Sequence, residues 1–217
     1  MNFLEQLSLT RTIAGEYLKL FEYPFLALVQ LNEFISSTGE KLEEEYNEIS
    51  PRVWVHKSAK IANTACICPP CIIGENSEIR HSAYIRGSVI VGKGCVVGNS
   101  TEVKNSILFD GVQLPHFNYA GDSILGFKAH LGAGAIISNV KSDKSDVTVK
   151  GGGVKIDTGL KKLGAIIGDG VEVGCNSVIN PGTVICKNTS IYPLSNVRGI
   201  IPQNSIFKNC GKVVLKN

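Results

Sequence analysis

The sequence predicts a mainly β solenoid, a parallel β-helix, and three observations carry that reading. Aliphatic residues return every six positions: Val55, Ile61, Ile67, Ile73, Ile79, Ile85, Val91, Val97 and Val103, then Leu125, Leu131 and Ile137, then Ile167, Val173, Ile179, Ile185, Ile191 and Val197. Glycine often follows the aliphatic, at Gly74, Gly92, Gly98, Gly126, Gly132, Gly168 and Gly174. A small residue sits two places before it, as at Ala59, Ala65, Ser77, Ala83, Thr101, Ala129, Ala135, Ser177 and Ser195. A helix of 3.6 residues per turn would scatter a six-residue period around its surface. A unit of short strand and tight turn accommodates all three features, with the aliphatic inside and the small residue at the corner. Eighteen such aliphatics, at about 1.5–3 kcal/mol each when buried, supply the core of a solenoid.

Along the chain, residues 1–50 read as a helical cap. "LTRTIAGEYLKLFEYPFLALVQLNEFI" spaces its apolar residues helically, and Pro24 is suited to open a second helix. Ser50-Pro51 marks the junction with the first coil, and the coils are expected over 51–198. Two insertions are expected within them. One is a loop at 110–122, since Phe109 to Leu125 exceeds two hexads by four residues. The other is a projecting hairpin at 141–163, with strands Val147–Lys150 and Val154–Asp157 joined by Gly151–Gly153. The triple glycine lacks the following Gly-Lys-Ser/Thr of a phosphate loop and reads as a turn. Residues 199–217 are expected to close the far end, because an open solenoid end must be covered.

Composition narrows the function classes. The chain has 217 residues and a net charge of +3, but residues 1–50 carry nine glutamates against Arg11, Lys19 and Lys41, a net of −6. The body is therefore +9, a modest and scattered excess that suits anionic ligands better than a nucleic-acid face. No continuous apolar run forms a signal peptide or a membrane span. Seven cysteines, an odd number, point to reduced thiols, and the expected location is the cytoplasm. In "CICPPC" the hexad frame turns Cys66 and Cys68 outward and Cys71 inward, so the three cannot converge on a metal, and none is expected.

The "[LIV]-G-x-x-x-x" signature resembles that of the hexapeptide-repeat acyltransferases. That resemblance implies a left-handed, triangular β-helix and a homotrimer with sites between neighbouring subunits. The run "VGNSTEVKNSILFDGVQLPHFNYAGDSILGFKAHLGAGAIISN" is similar to the acetyltransferase part of the bifunctional glucosamine-1-phosphate acetyltransferase/uridyltransferases. "TGLKKLGAIIGDGVEVGCNSVINPGTVI" is closer to the archaeal sugar-1-phosphate nucleotidylyltransferase/acetyltransferases. The resemblance covers roughly residues 53–200 and includes no nucleotidyltransferase domain.

The resemblance implies that His116 is the general base, that Tyr119 contacts substrate, and that Arg86, Lys104 and Lys162 hold a sugar phosphate. The backbone N–H of Ala133 would face the thioester carbonyl and Asn139 would orient the substrate. His130 stands where the bacterial enzymes have asparagine. Cys175, Pro193 and Lys208 stand where those enzymes contact acetyl-CoA, the expected acyl donor. These residue types suit the chemistry. A histidine titrates near neutral pH and can take the amine proton. A fixed N–H can stabilise the oxyanion, and cations can hold phosphate. The expected activity is therefore N-acetylation of an amino-sugar 1-phosphate. Other amine acceptors, such as a nucleotide-linked amino sugar, and a non-catalytic assembly role are the rival readings. A zinc carbonic anhydrase is disfavoured because His56, His81, His116 and His130 include no close pair.

Overall fold

The computed structural model of the protein describes residues 2–42 and 44–216. From Val53 onward the chain winds into a prism whose three faces are sheets of nine, nine and seven strands. Within each face the coils pair in parallel, and the prism is the left-handed β-helix that the resemblance implies. The hexad aliphatics point inward. All eighteen are buried except Ile61 and Ile67, which are partly exposed in the first coil. The small residues occupy the corners, where Ser77, Ala83, Thr101, Ala129, Ala135, Ser177 and Ser195 are buried.

The first face includes the strands Cys71–Ile73, Val89–Val91, Ser106–Leu108, Ile124–Leu125, Ala165–Ile167 and Thr183–Ile185. It is apolar on both sides. Its outward residues Ile72, Ile90, Ile107, Ile124, Ile166 and Val184 are as buried as its inward ones. The N-terminal residues cover it. Their helical turns include Pro24–Gln30, opened by Pro24 as expected, and Leu31–Gly39. The segment lies along the flank of the prism, not over its end. The Asp169 N–H donates to the Gln6 carbonyl, the Asp110 N–H to that of Arg11, and the Asn32 amide to the Ser88 hydroxyl. It thus runs from the late coils back to the early ones.

One sheet at each end of the prism gains an antiparallel strand. Tyr46–Ser50 pairs with Val53–His56, so Ser50-Pro51 lies in a hairpin turn. At the other end Val213–Leu215 pairs with Ser205–Phe207.

Two expectations about insertions need correction. No loop leaves the coil over 110–122. That stretch contains the in-register strands Gln113–His116 and Tyr119–Gly121. The frame instead loses one residue at each of two successive corners. Val91 pairs with Leu108 and Leu108 with Leu125, and the interior positions between are Leu114 and Ala120. Where the preceding corner uses two left-handed residues, Gly87 and Ser88, these corners use one, Asn105 and then Asp122. Asparagine and aspartate tolerate that backbone, which allows the shorter turn.

The hairpin at 141–163 is present, with strands Thr148–Gly151 and Val154–Asp157 and a two-residue turn at Gly152-Gly153, both at positive φ. It does not project freely. Val147 and Val149 are buried, and Gly151 packs against Ile200 on the first face. The hairpin therefore covers the late end of the face whose early part the N-terminal segment covers.

Candidate functional site

The third face runs through Cys66–Ile67, Tyr84–Ile85, Glu102–Lys104, Tyr119–Gly121, Ile136–Ile137, Val178–Ile179 and Asn196–Val197. Unlike the first face it carries no covering segment among the described residues, and its outward residues include Tyr84, Glu102 and Tyr119. The residues expected to be functional gather along its two edges.

One edge is the corner between the second and third faces. His116, Ala133, Cys175 and Pro193 occupy equivalent places there in successive coils. The Gly134 N–H donates to the His116 carbonyl, that of Asn176 to Ala133, and that of Leu194 to Cys175. Adjacent coils are spaced by about 4.8 Å, so the four form a column along the prism. His116 and Cys175 are exposed, and among the described residues nothing accepts the Ala133 N–H. Lys208 opens the turn of the terminal hairpin, beyond Phe207, where its carbonyl accepts from the Gly211 N–H. Beside His116 and Pro193 stand Phe117 and Leu194, exposed and at positive φ. Most coils place Asn, Ser or Gly at that point of the turn, and a bulky residue there is strained. Sequence reasoning missed this pair, although an apolar residue just before the small corner residue is visible in the hexads.

The other edge is the corner between the third and first faces, and its centre is a residue that sequence reasoning did not single out. Asp122, almost wholly buried, accepts from the Lys104 ammonium at 3.0 and 3.3 Å and from the Asn105 amide at 2.8 Å. It also accepts from the Asn139 amide. A buried carboxylate persists when it is paired and hydrogen-bonded in this way. Lys104 and Asn139 are thus fixed by one anion. The Lys104 ammonium has three N–H donors, so contact with the one Asp122 carboxylate does not exhaust it. The Asp122 signal was present in sequence as the acid of "H-x-x-Y-x-G-D-S". It is the one acidic side chain at a positive-φ position among the described residues.

Tyr119 leans toward this cluster. Gly121 makes room for it, since a methyl group there would lie 2.5 Å from the tyrosine hydroxyl. Burial, and then the charges of Glu102 and Asp122, raise the Tyr119 pKa above its ordinary value, so the phenol stays protonated. Arg86, one coil earlier, donates to Glu102 at 2.6 Å and is itself stabilised as a cation by that carboxylate. Lys162 is exposed where the hairpin returns to the coil. The next two N–H groups, of Leu163 and Gly164, donate to the carbonyls of Asn139 and Asp122. Lys104, Tyr119 and Asn139 therefore meet at one edge, with Arg86 and Lys162 beside them.

His130 is not brought there. It lies on the second face with Nδ1 2.7 Å from a Glu172 carboxylate oxygen, three residues before Ala133. Of the cysteines in "CICPPC", Cys66 is exposed, Cys68 half-buried and Cys71 buried. Among the described residues no group of three or more histidines, cysteines or carboxylates has metal-binding geometry.

A three-faced prism wound from six-residue units defines the class as a hexapeptide-repeat β-helix. The family described as the GMPPB C-terminal domain matches residues 68–163. The chain is 35% identical over 165 residues to a bifunctional sugar-1-phosphate nucleotidylyltransferase/acetyltransferase of Sulfurisphaera tokodaii, covering 76% of this chain and 41% of that protein. It is 36% identical over 153 residues to the bifunctional protein GlmU of Methanococcus maripaludis, covering 70% of this chain and 33% of that one. The chain thus spans less than half the length of these relatives. Among solved structures it is similar to AntD, an N-acyltransferase from Bacillus cereus, at 18% identity and a TM-score of 0.39, covering 81% of this chain and 92% of that one. It is also similar to the acetyltransferase domain of PglB from Neisseria gonorrhoeae, at 12% identity and a TM-score of 0.36, covering 85% and 66%.

Proposed function

We propose that the protein is an acetyl-CoA-dependent N-acetyltransferase acting on an amino-sugar 1-phosphate, glucosamine or galactosamine, as a cytoplasmic homotrimer. The observation that carries this reading is the column of His116, Ala133, Cys175 and Pro193 at one edge of the exposed face, opposite the Lys104–Asp122–Asn139 cluster at its other edge. His116 takes the proton from the attacking amine as the new amide bond forms and the thiolate of coenzyme A departs. The unoccupied Ala133 N–H donates to the oxyanion that develops on the thioester carbonyl. The small exposed side chains of Cys175 and Pro193 leave a path for the coenzyme arm, and Lys208 faces its anionic end. Lys104, Arg86 and Lys162 hold the phosphate, while Tyr119 and Asn139 orient the sugar. Face three of one subunit and a neighbouring copy would enclose the substrates, bringing in His130 from the second face.

The test is thiol release from acetyl-CoA with glucosamine-1-phosphate and with galactosamine-1-phosphate. Release that depends on either sugar supports the proposal. Release only with a nucleotide-linked amino sugar would move the acceptor, and silence with every amine would contradict acetyl transfer.

A further inference from the structure

We infer that the protein has a second anion-binding site, separate from the candidate acyl-transfer residues, in the cleft where the inserted hairpin meets the last coils. The cleft has a volume of about 390 Å³. That is within the range of small-molecule sites and larger than one phosphate group requires. Four cations line it: Lys141 on the loop, Lys150 and Lys155 on the two hairpin strands, and Arg198 on the corner of the prism. Asp143 is the one carboxylate among the lining residues, and Asn180, Ser138 and Thr148 contribute neutral polar groups.

The charges there do not cancel. Lys141 is paired with Asp143 at 3.4 Å, and Lys155 has the exposed Asp157 at 3.6 Å. Arg198 has only a neutral partner, donating to the Asn180 side-chain oxygen at 2.9 Å. Among the described residues Lys150 has no acidic partner. Asn180 is itself held, since its amide donates to the Val197 carbonyl at 2.8 Å, so the guanidinium is oriented by the coil. Two cations from different elements thus flank one cleft without carboxylates to neutralise them. That is the arrangement a multiply charged phosphate compound recognises, because each phosphate gains charge-assisted bonds to a separate donor. A single surface cation would offer no such selectivity. The size of the cleft and its several cations point to the diphosphate of a nucleotide, not to a lone orthophosphate. The hairpin that builds the cleft is an insertion between two hexads, so the site exists only because the coil is interrupted there.

The inference does not depend on acetyl transfer, and its test is a binding measurement on the full chain. Calorimetric titrations would use uridine diphosphate, inorganic pyrophosphate and orthophosphate. The proteins compared would be wild type, Lys150→Ala/Arg198→Ala and Arg86→Ala/Lys104→Ala. The expected result is that the two diphosphates bind more tightly than orthophosphate, with affinity falling about tenfold or more in the Lys150/Arg198 variant. The Arg86/Lys104 variant should lose only the binding of these anions at the proposed sugar-phosphate cations and keep the diphosphate-selective component that the Lys150/Arg198 variant lacks. Lys150→Arg should retain binding, which a merely misfolded hairpin would not predict. Uridine diphosphate binding better than pyrophosphate would mean that the nucleoside is also recognised. Equal binding by pyrophosphate would assign the contact to the diphosphate alone, and either result supports the site. The inference is overturned if wild type binds neither diphosphate at millimolar concentration. It is equally overturned if the preference for diphosphates over orthophosphate survives undiminished in Lys150→Ala/Arg198→Ala, or is lost only in Arg86→Ala/Lys104→Ala.

Discussion

The first and third faces of the prism are built on the same inward hexads, yet they differ in every respect that matters for function. On the first face each hexad doubles its aliphatic, as in Ile72-Ile73, Ile90-Val91, Ile107-Leu108 and Ile124-Leu125, and both members are buried. The outward member, the first of each pair, receives the N-terminal segment and the hairpin. On the third face the corresponding outward positions are Tyr84, Glu102 and Tyr119 in the middle coils and Ile136 and Val178 further along, and all of them are at least partly exposed. In a solenoid the inward period sets the fold. The outward residue decides whether a face becomes a packing surface or a binding surface.

The largest way to break that contrast is to truncate matching outward residues. Ile90→Ala removes a wholly buried side chain and should cost about 2–5 kcal/mol, whereas Ile136→Ala on the third face should cost under about 1 kcal/mol. Urea midpoints compare the two, and equal losses would mean that the third face is also covered.

Next in size is Asp122→Ala, which leaves Lys104, Asn105 and Asn139 without their shared acceptor. A loss of about 1–3 kcal/mol is expected, together with reduced acetyl transfer. Normal activity in a stably folded Asp122→Ala protein would show that the edge cluster is structural only. Lys104→Ala should raise KM for the sugar phosphate more than it lowers kcat, because the lysine grips a part that does not react. A pure fall in kcat would contradict that role.

The smallest effect concerns pH. Tyr17, in the covering segment, donates to the Ala27 carbonyl at 2.7 Å, and burial followed by the Glu33 charge raises its pKa to about 12. A raised folded pKa contributes stability that is complete below the ordinary value near 10 and is lost as pH rises toward 12. Thermal melts should therefore show alkaline destabilisation in that window, reduced in Tyr17→Phe. An unchanged profile in Tyr17→Phe would assign the effect elsewhere.

Much of this was legible in the sequence, because a six-residue period suits so few structures. The parallel β-helix with its inward aliphatics and small corner residues follows directly from it, while the three hexads per coil came from the family resemblance. The break at Phe109 misled for a physical reason. Stepping six from Val103 reaches Phe109, which is itself buried, so the frame looked intact and then lost. The true slip is one residue earlier, at Leu108, and it depends on Asn105 and Asp122 each turning a corner alone. Turn geometry of that kind leaves no hydrophobic signature. Asp122 was overlooked as well, since its partners Lys104 and Asn139 are 18 and 17 residues away and meet it only when coils stack. The doubled aliphatics of the first face were, by contrast, readable in advance. Their recurrence in coil after coil, against only Ile136-Ile137 and Val178-Ile179 on the third face, marks this face as covered on both sides and places the N-terminal segment on the flank of the prism.

The most direct test of the account is the rate of acetyl-CoA thiol release by His116→Ala with the accepted amino sugar, alongside its oligomeric state. His116 is exposed and, among the described residues, hydrogen-bonds through its backbone alone, so the variant should fold and assemble as wild type. Loss of a general base predicts a fall in kcat of about 10²–10⁴. A rate equal to wild type in a correctly assembled protein would contradict the assignment of the exposed edge as the site of acyl transfer.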